Sequence, residues 1–294
     1  SDVCSSDLGQ VLIQALLTLP VLIVFIFIYR KHKTDNEEFL LLKLIGYYLL
    51  GSFRFNFNKI ALPAGFIAYL VFFRPKINKP VKKALASLGL FVFVCGLLIP
   101  VIQKSYFERQ RVVNASSNNI FTINLNRDHN AIKQKLGINE STKIEDFVAS
   151  FEKSGAIKEL RYEFLTNDNK GIVLYNVNFS SNKNQYIINT TKVSEWVQYD
   201  RLITEEQFFY ALKYLDLKKV KPKVEYPYYS IRCSGDRTSS SWNAQDSNNF
   251  LITDKGIDKL NNKDLPVNGY TFWIYGNTTS YGDSYKSYIL PITK

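Results

Sequence analysis

Arg74-Pro75-Lys76-Ile77-Asn78-Lys79-Pro80-Val81-Lys82-Lys83 is a basic loop without an acid, held between two apolar runs. Upstream, Val11 to Tyr29 is apolar apart from Gln14 and Thr18, and Arg30-Lys31-His32-Lys33 follows at once. Its length matches a hydrocarbon core of about 30 Å. The positive charge follows the apolar run rather than preceding it, so a transmembrane helix fits better than a signal peptide. Phe39 to Phe53, with Lys43 inside, and Ile60 to Phe73, with Pro63 and Gly65, are shorter apolar segments. Leu85 to Ile102 is cleanly apolar.

Short basic loops concentrate on the cytoplasmic side of a membrane. If Arg30, Lys31 and Lys33 and then Arg74, Lys76, Lys79, Lys82 and Lys83 all lie inside, the two middle segments must cross out and back. The expectation is therefore an all-α membrane module of four transmembrane helices. A soluble α+β domain with a mainly antiparallel sheet follows it, extracytoplasmic, on a multi-pass plasma-membrane protein. Lys43 is expected to snorkel from Phe39–Phe53 to the interface.

The domain boundaries follow the composition. Residues 1–8 resemble the in-frame translation of a common adapter oligonucleotide and are expected to be an assembly scar; the chain has no Met and is expected to be a fragment or processed product. Residues 9–102 form the membrane module, 103–119 a polar linker and 120–294 the outer domain. The net charge of +11 does not mark a nucleic-acid partner. The first 102 residues hold 11 Lys and Arg against 5 Asp and Glu, clustered beside apolar segments. In the remainder the bases are diluted by nearly as many acids. Three scattered cysteines give no disulfide framework.

In the outer domain, Phe121–Leu125 alternates as a strand would, and Asp128 is placed to cap a short helix that stops at Gly137. Thr142-Lys143-Ile144-Glu145 reads as a capping box opening a second helix with Ile144, Phe147, Val148 and Phe151 on one face. Strand signals follow at Ile157–Leu165, Gly171–Phe179 and Gln185–Thr191. Thr204-Glu205-Glu206-Gln207 is another capping box. Further strands are expected at Tyr228–Cys233, Phe250–Thr253, Tyr270–Tyr275 and Tyr285–Ile292.

Possible ligand or partner contacts are Trp196, Tyr199, Asp200 and Arg201, an aromatic and charged group before a capped helix, and Trp242 in a long polar loop. The alternative for the first group is a strand-to-helix junction with Trp196 and Tyr199 in the core and Asp200–Arg201 as a local ion pair. Tyr270, Phe272, Trp273, Tyr275, Tyr281, Tyr285 and Tyr288 are a second aromatic set that would suit a carbohydrate groove, although strand periodicity sends alternate members to the core.

Catalysis has little to draw on. With two histidines, His32 and His129, neither a histidine metal site nor a Ser/His/Asp triad is expected, and no catalytic, cofactor or metal residues are assigned. The expected partners are the lipid bilayer and an envelope protein, a peptide or a wall glycan, with no nucleic acid. A binding protein at the cell surface is the leading expectation, against a transporter or membrane-complex subunit capped by the outer domain. The Lys, Asn and Ile richness and the scarcity of cysteine suggest an AT-rich bacterium with a single membrane.

Overall fold

The computed structural model describes residues 3–58, 60–168, 171–193, 198–219, 225–240, 248–278 and 282–292. The chain divides into two compact units, Ser1–Ser105 and Tyr106–Lys294.

The first unit is built on α1 (Val3–His32), α2 (Leu40–Ser52), a small hairpin of β1 (Phe55–Phe57) and β2 (Ile60–Leu62), α3 (Ala64–Val71) and α4 (Lys79–Glu108). Leu40 and Leu44 of α2 pack against Val81 and Leu85 of α4, with Phe25, Ile28 and Tyr29 of α1 alongside. The crossing of α2 and α4 is close because Gly89 has no side chain: a Cβ there would lie 2.2 Å from the Tyr48 carbonyl oxygen.

Four transmembrane helices are not present. Among the described residues one helix, α4, is long and apolar enough to cross a membrane, and the predicted Leu85–Ile102 falls inside it. The segment Phe39–Phe53 makes α2, whose 13 residues rise only about 20 Å. The segment Ile60–Phe73 begins as a strand, and Pro63 then starts α3, whose 8 residues rise about 12 Å. Neither reaches across a core of about 30 Å. Apolar composition was legible in both, but Pro63 and the turn at Asn58 (φ 52°) fold the stretch between them into a hairpin.

The second unit carries β3 (Arg111–Asn114), α5 (Leu125–Leu136), β4 (Lys143–Glu152), β5 (Ile157–Asp168), β6 (Gly171–Ser180), β7 (Gln185–Lys192), β8 (Ile203–Thr204), α6 (Glu205–Tyr214), β9 (Tyr228–Ser240), β10 (Asn249–Thr253), β11 (Gly256–Lys259), β12 (Val267–Asn277) and β13 (Gly282–Pro291). Eleven strands form one sheet in the order β11-β10-β13-β12-β9-β4-β5-β6-β7-β3, with β8 paired to β4. The sheet is mixed rather than mainly antiparallel, because β10 and β13 run parallel, with Phe250 opposite Tyr288. The β12–β13 hairpin separates β9 from β10 in space, and this non-local pairing has no signature in the strands themselves.

Helices α5 and α6 lie on one face. Phe147, Ala149 and Phe151 of β4, Tyr162 and Phe164 of β5, Ile231 and Cys233 of β9 and Phe272 and Ile274 of β12 meet Ile132 of α5 and Phe208 and Ala211 of α6 in the main core. Burial pushes the Cys233 thiol up to about 12. A satellite cluster of Leu260, Val267 and Ile289 packs at one corner of the sheet.

The Thr204 capping box opens α6 as expected, and Gly137 (φ 73°) caps α5 in the left-handed conformation that favours glycine. Asn124, not Asp128, is the N-cap of α5. The helix expected from Thr142 is instead β4: the alternation of Phe147, Ala149 and Phe151 sends them to the core, and Val148 is buried on the other face, so no helical stripe is needed. Phe121 and Thr122 form a turn rather than a strand.

Candidate functional site

Strand parity separates the second aromatic set. Tyr270, Phe272 and Tyr288 point into the core, whereas Trp273, Tyr275 and Tyr285 share the opposite face, on which no described helix lies. Register builds a cluster there across three interior strands: Trp273 of β12 stands opposite Arg232 of β9, and Tyr275 opposite Tyr285 of β13. The Tyr275 and Tyr285 ring centroids are 6.3 Å apart. The Arg232 guanidinium lies 5.8 Å from the centre of the Tyr275 ring. Burial raises the Tyr275 hydroxyl above its ordinary value and Arg232 opposes that rise. Asn277 donates to Ser230 Oγ at 3.2 Å along the floor.

The same face carries acids on the neighbouring strands, and these are engaged. Arg161 of β5 bridges Asp146 at 3.4 Å and Glu159 at 3.3 Å, and Lys158 bridges Glu152 at 2.6 Å. Glu163 accepts from Asn176 Nδ2 at 2.5 Å. Arg232 is exposed and has no carboxylate within salt-bridge distance among the described residues.

Behind the sheet, on the helix face, a buried polar network ties α5 to its surroundings. His129, 1% exposed, contacts Tyr162 Oη at 3.3 Å through Nδ1, and Thr142 Oγ1 at 3.1 Å and Glu205 Oε2 at 3.0 Å through Nε2. Lys133 and Thr142 both donate to Glu205, at 2.6 and 2.5 Å. Burial lowers the His129 pKa, so the neutral ring accepts from Tyr162 and donates to Glu205. Burial works to raise Glu205, but hydrogen bonds from His129, Lys133 and Thr142 outweigh it and hold the carboxyl at about 2. Asp128, 3% exposed, accepts from Ser116 N and Oγ, both at 2.9 Å, and from Tyr186 Oη at 3.1 Å. Every contact is internal, which fits a lock between elements rather than a reacting group.

The lock has a pH signature. The unfolded chain takes a proton on His129 near 6.5 that the folded chain resists, so stability is full above that pH and falls as pH drops through it. Glu205 adds a second loss as pH falls from 4.5 towards 2. Melting curves of the full chain between pH 7.5 and 2 are expected to show falling stability in both windows. His129→Gln should flatten the upper window and leave the lower one.

The predicted contact residues do not converge. Tyr199, Asp200 and Arg201 form a short helical turn. Lys143 Nζ stands 5.8 Å over the half-buried Tyr199 ring. Arg201 donates to Gln198 and to the Arg237 carbonyl and makes no ion pair with Asp200. Trp196 and Trp242 lie outside the described residues.

The charged residues expected to set topology do come together. Asn78 Oδ1 accepts from the backbone of Thr34 and Asp35 at 3.1 and 3.0 Å, which brings the end of α1, with Arg30, Lys31 and Lys33, beside the loop carrying Arg74, Lys76, Lys79 and Lys83. Lys82 differs from these. Its side chain is 5% exposed and pairs with Glu37 at 2.7 Å, so its charge is neutralised. Lys43 also meets Glu37, at 2.8 Å, instead of reaching out alone. Hydrogen bonds from Lys43, Lys82 and Asn78 hold the Glu37 carboxyl down at about 2. The signal for this knot was Glu37 itself, six residues before Lys43.

No curated protein and no solved structure matches the chain. A family model described as an archaeal family matches residues 129–287, from His129 in α5 to Ser287 in β13. The expectation of a bacterial source is thereby overturned, since Lys, Asn and Ile richness follows base composition and not domain of life. The match covers more than half of the 294 residues, and the chain belongs to this archaeal family.

Proposed function

We propose that this is a membrane-anchored binding protein, held by α4, whose sheet domain faces outward and engages a surface partner or glycan through the face bearing Arg232, Trp273, Tyr275 and Tyr285. The supporting observation is α4 itself. Only 22% of its apolar window is buried, and Val101 and Ile102 are exposed just before the sheet domain begins. A core helix would be covered by its own chain, so this one needs lipid or another protein. Basic residues at its N-terminal end favour that end inside.

A photo-reactive benzophenone side chain placed at Tyr285, or at Glu206 on α6 as a control, tests the reading in intact cells. The chain is expected to stay with membranes through an alkaline carbonate wash, and Tyr285 but not Glu206 to give a cross-linked product. Release by carbonate, or no product at Tyr285, contradicts the reading.

A further inference from the structure

We infer that the Arg232–Trp273–Tyr275–Tyr285 cluster is a binding site for an acidic carbohydrate, with a carboxylate on Arg232 and sugar rings on the aromatic faces. This rests on the proposed function and names the ligand class of the same face.

At Arg232, Trp273 and Tyr275 the strands β9 and β12 are paired on both sides, so no free strand edge is available beside those residues for an added strand; β13 pairs with β10 only over 287–289. At these three residues recognition comes from side-chain faces. Trp273, Tyr275 and Tyr285 provide an aromatic surface, the Tyr275 and Tyr285 rings inclined at 42°, that with Arg232 is two strand spacings wide, about 10 Å, which spans two sugar rings. Aromatic faces take the C–H side of a sugar while its hydroxyls remain in water or reach polar neighbours. Asn277 and Ser150, both partly exposed, are such neighbours.

Charge sets the ligand's own charge. Arg232 is a planar fork suited to a bidentate carboxylate, already oriented over Tyr275 and without a carboxylate partner among the described residues. It is one cation, not a stripe. Asp146, Glu152, Glu159 and Glu163 line the adjoining strands on the same face, and they repel a continuous polyanion such as RNA. A glycan whose carboxylates are spaced along an otherwise neutral chain fits both facts.

The test uses the full chain in detergent micelles titrated calorimetrically with a hyaluronan hexamer, which carries a carboxylate on every second sugar, with maltohexaose and polyuridylate as comparisons. The hexamer is expected to bind, and maltohexaose at least tenfold more weakly. Arg232→Ala and Trp273→Ala should each weaken hexamer binding at least tenfold, and Arg232→Lys by an intermediate amount. Arg161→Ala, whose guanidinium is occupied by Asp146 and Glu159, should stay within twofold. Equal binding of maltohexaose, stronger binding of polyuridylate, unchanged binding by Arg232→Ala, or no binding of the hexamer overturns the inference. If the hexamer fails while Tyr285 still cross-links to a protein, the binding function stands and the ligand class falls; if both fail, both fall.

Discussion

Replacing Asp128 by alanine is expected to destabilise the sheet domain by about 3–5 kcal/mol, because it strips the acceptor from one buried and two part-buried donors at once. Ser116 N, Ser116 Oγ and Tyr186 Oη all converge on Asp128 Oδ2. Burial raises the Tyr186 hydroxyl far above its ordinary value, so it remains protonated and needs that acceptor. Ser116 Oγ also accepts from Asn124 N at 2.8 Å, at the N-cap of α5, so the loss spreads to the helix start. Asp128→Asn keeps an acceptor oxygen and should cost less than half as much. Tyr186→Phe removes a donor without leaving a second group bare and should cost about 1 kcal/mol. Denaturant titration of the full chain, read by proteolysis of the sheet domain, measures all three. A cost below about 1 kcal/mol for Asp128→Ala would show that the network is not the lock described.

That network was half visible in the sequence. Asp128-His129 ahead of Gly137 reads locally as a cap, and the helix it belongs to was found. What it touches is remote: Glu205 lies 76 positions from His129 and Tyr186 lies 58 from Asp128. A chain read locally cannot show such partners. The hairpins β5–β6 and β6–β7 were legible because period-2 alternation and Asn, Gly and Ser turns are local signals. Strand β4 was not, because Thr142 and Glu145 imitate a capping box while Thr142 in fact donates to Glu205. The parallel β10–β13 pair, which makes the sheet mixed, depends on the path of the chain around a hairpin.

The membrane module differs from expectation for a related reason. Charge and hydropathy carry no information on helix length, and α2 and α3 are too short to span. Counting Lys82 as a free charge ignored Glu37, 45 residues earlier. The face proposed for binding was visible in part, as the aromatics on β12. Arg232 could not be assigned to that face from the sequence, because its place beside Trp273 comes from strand register.

The proposed single crossing by α4, from a basic inner end to an outer sheet domain, predicts an all-or-none pattern of labelling. Lys79 is exposed at the start of α4, and Asn118 is exposed in the second unit. In a background lacking Cys4, Cys95 and Cys233, a single cysteine is introduced as Lys79→Cys or Asn118→Cys and intact cells are treated with a membrane-impermeant maleimide. Complete labelling is expected at position 118 and none at 79 until the cells are permeabilised. Labelling at both positions in intact cells, at neither, or in the reverse order contradicts it.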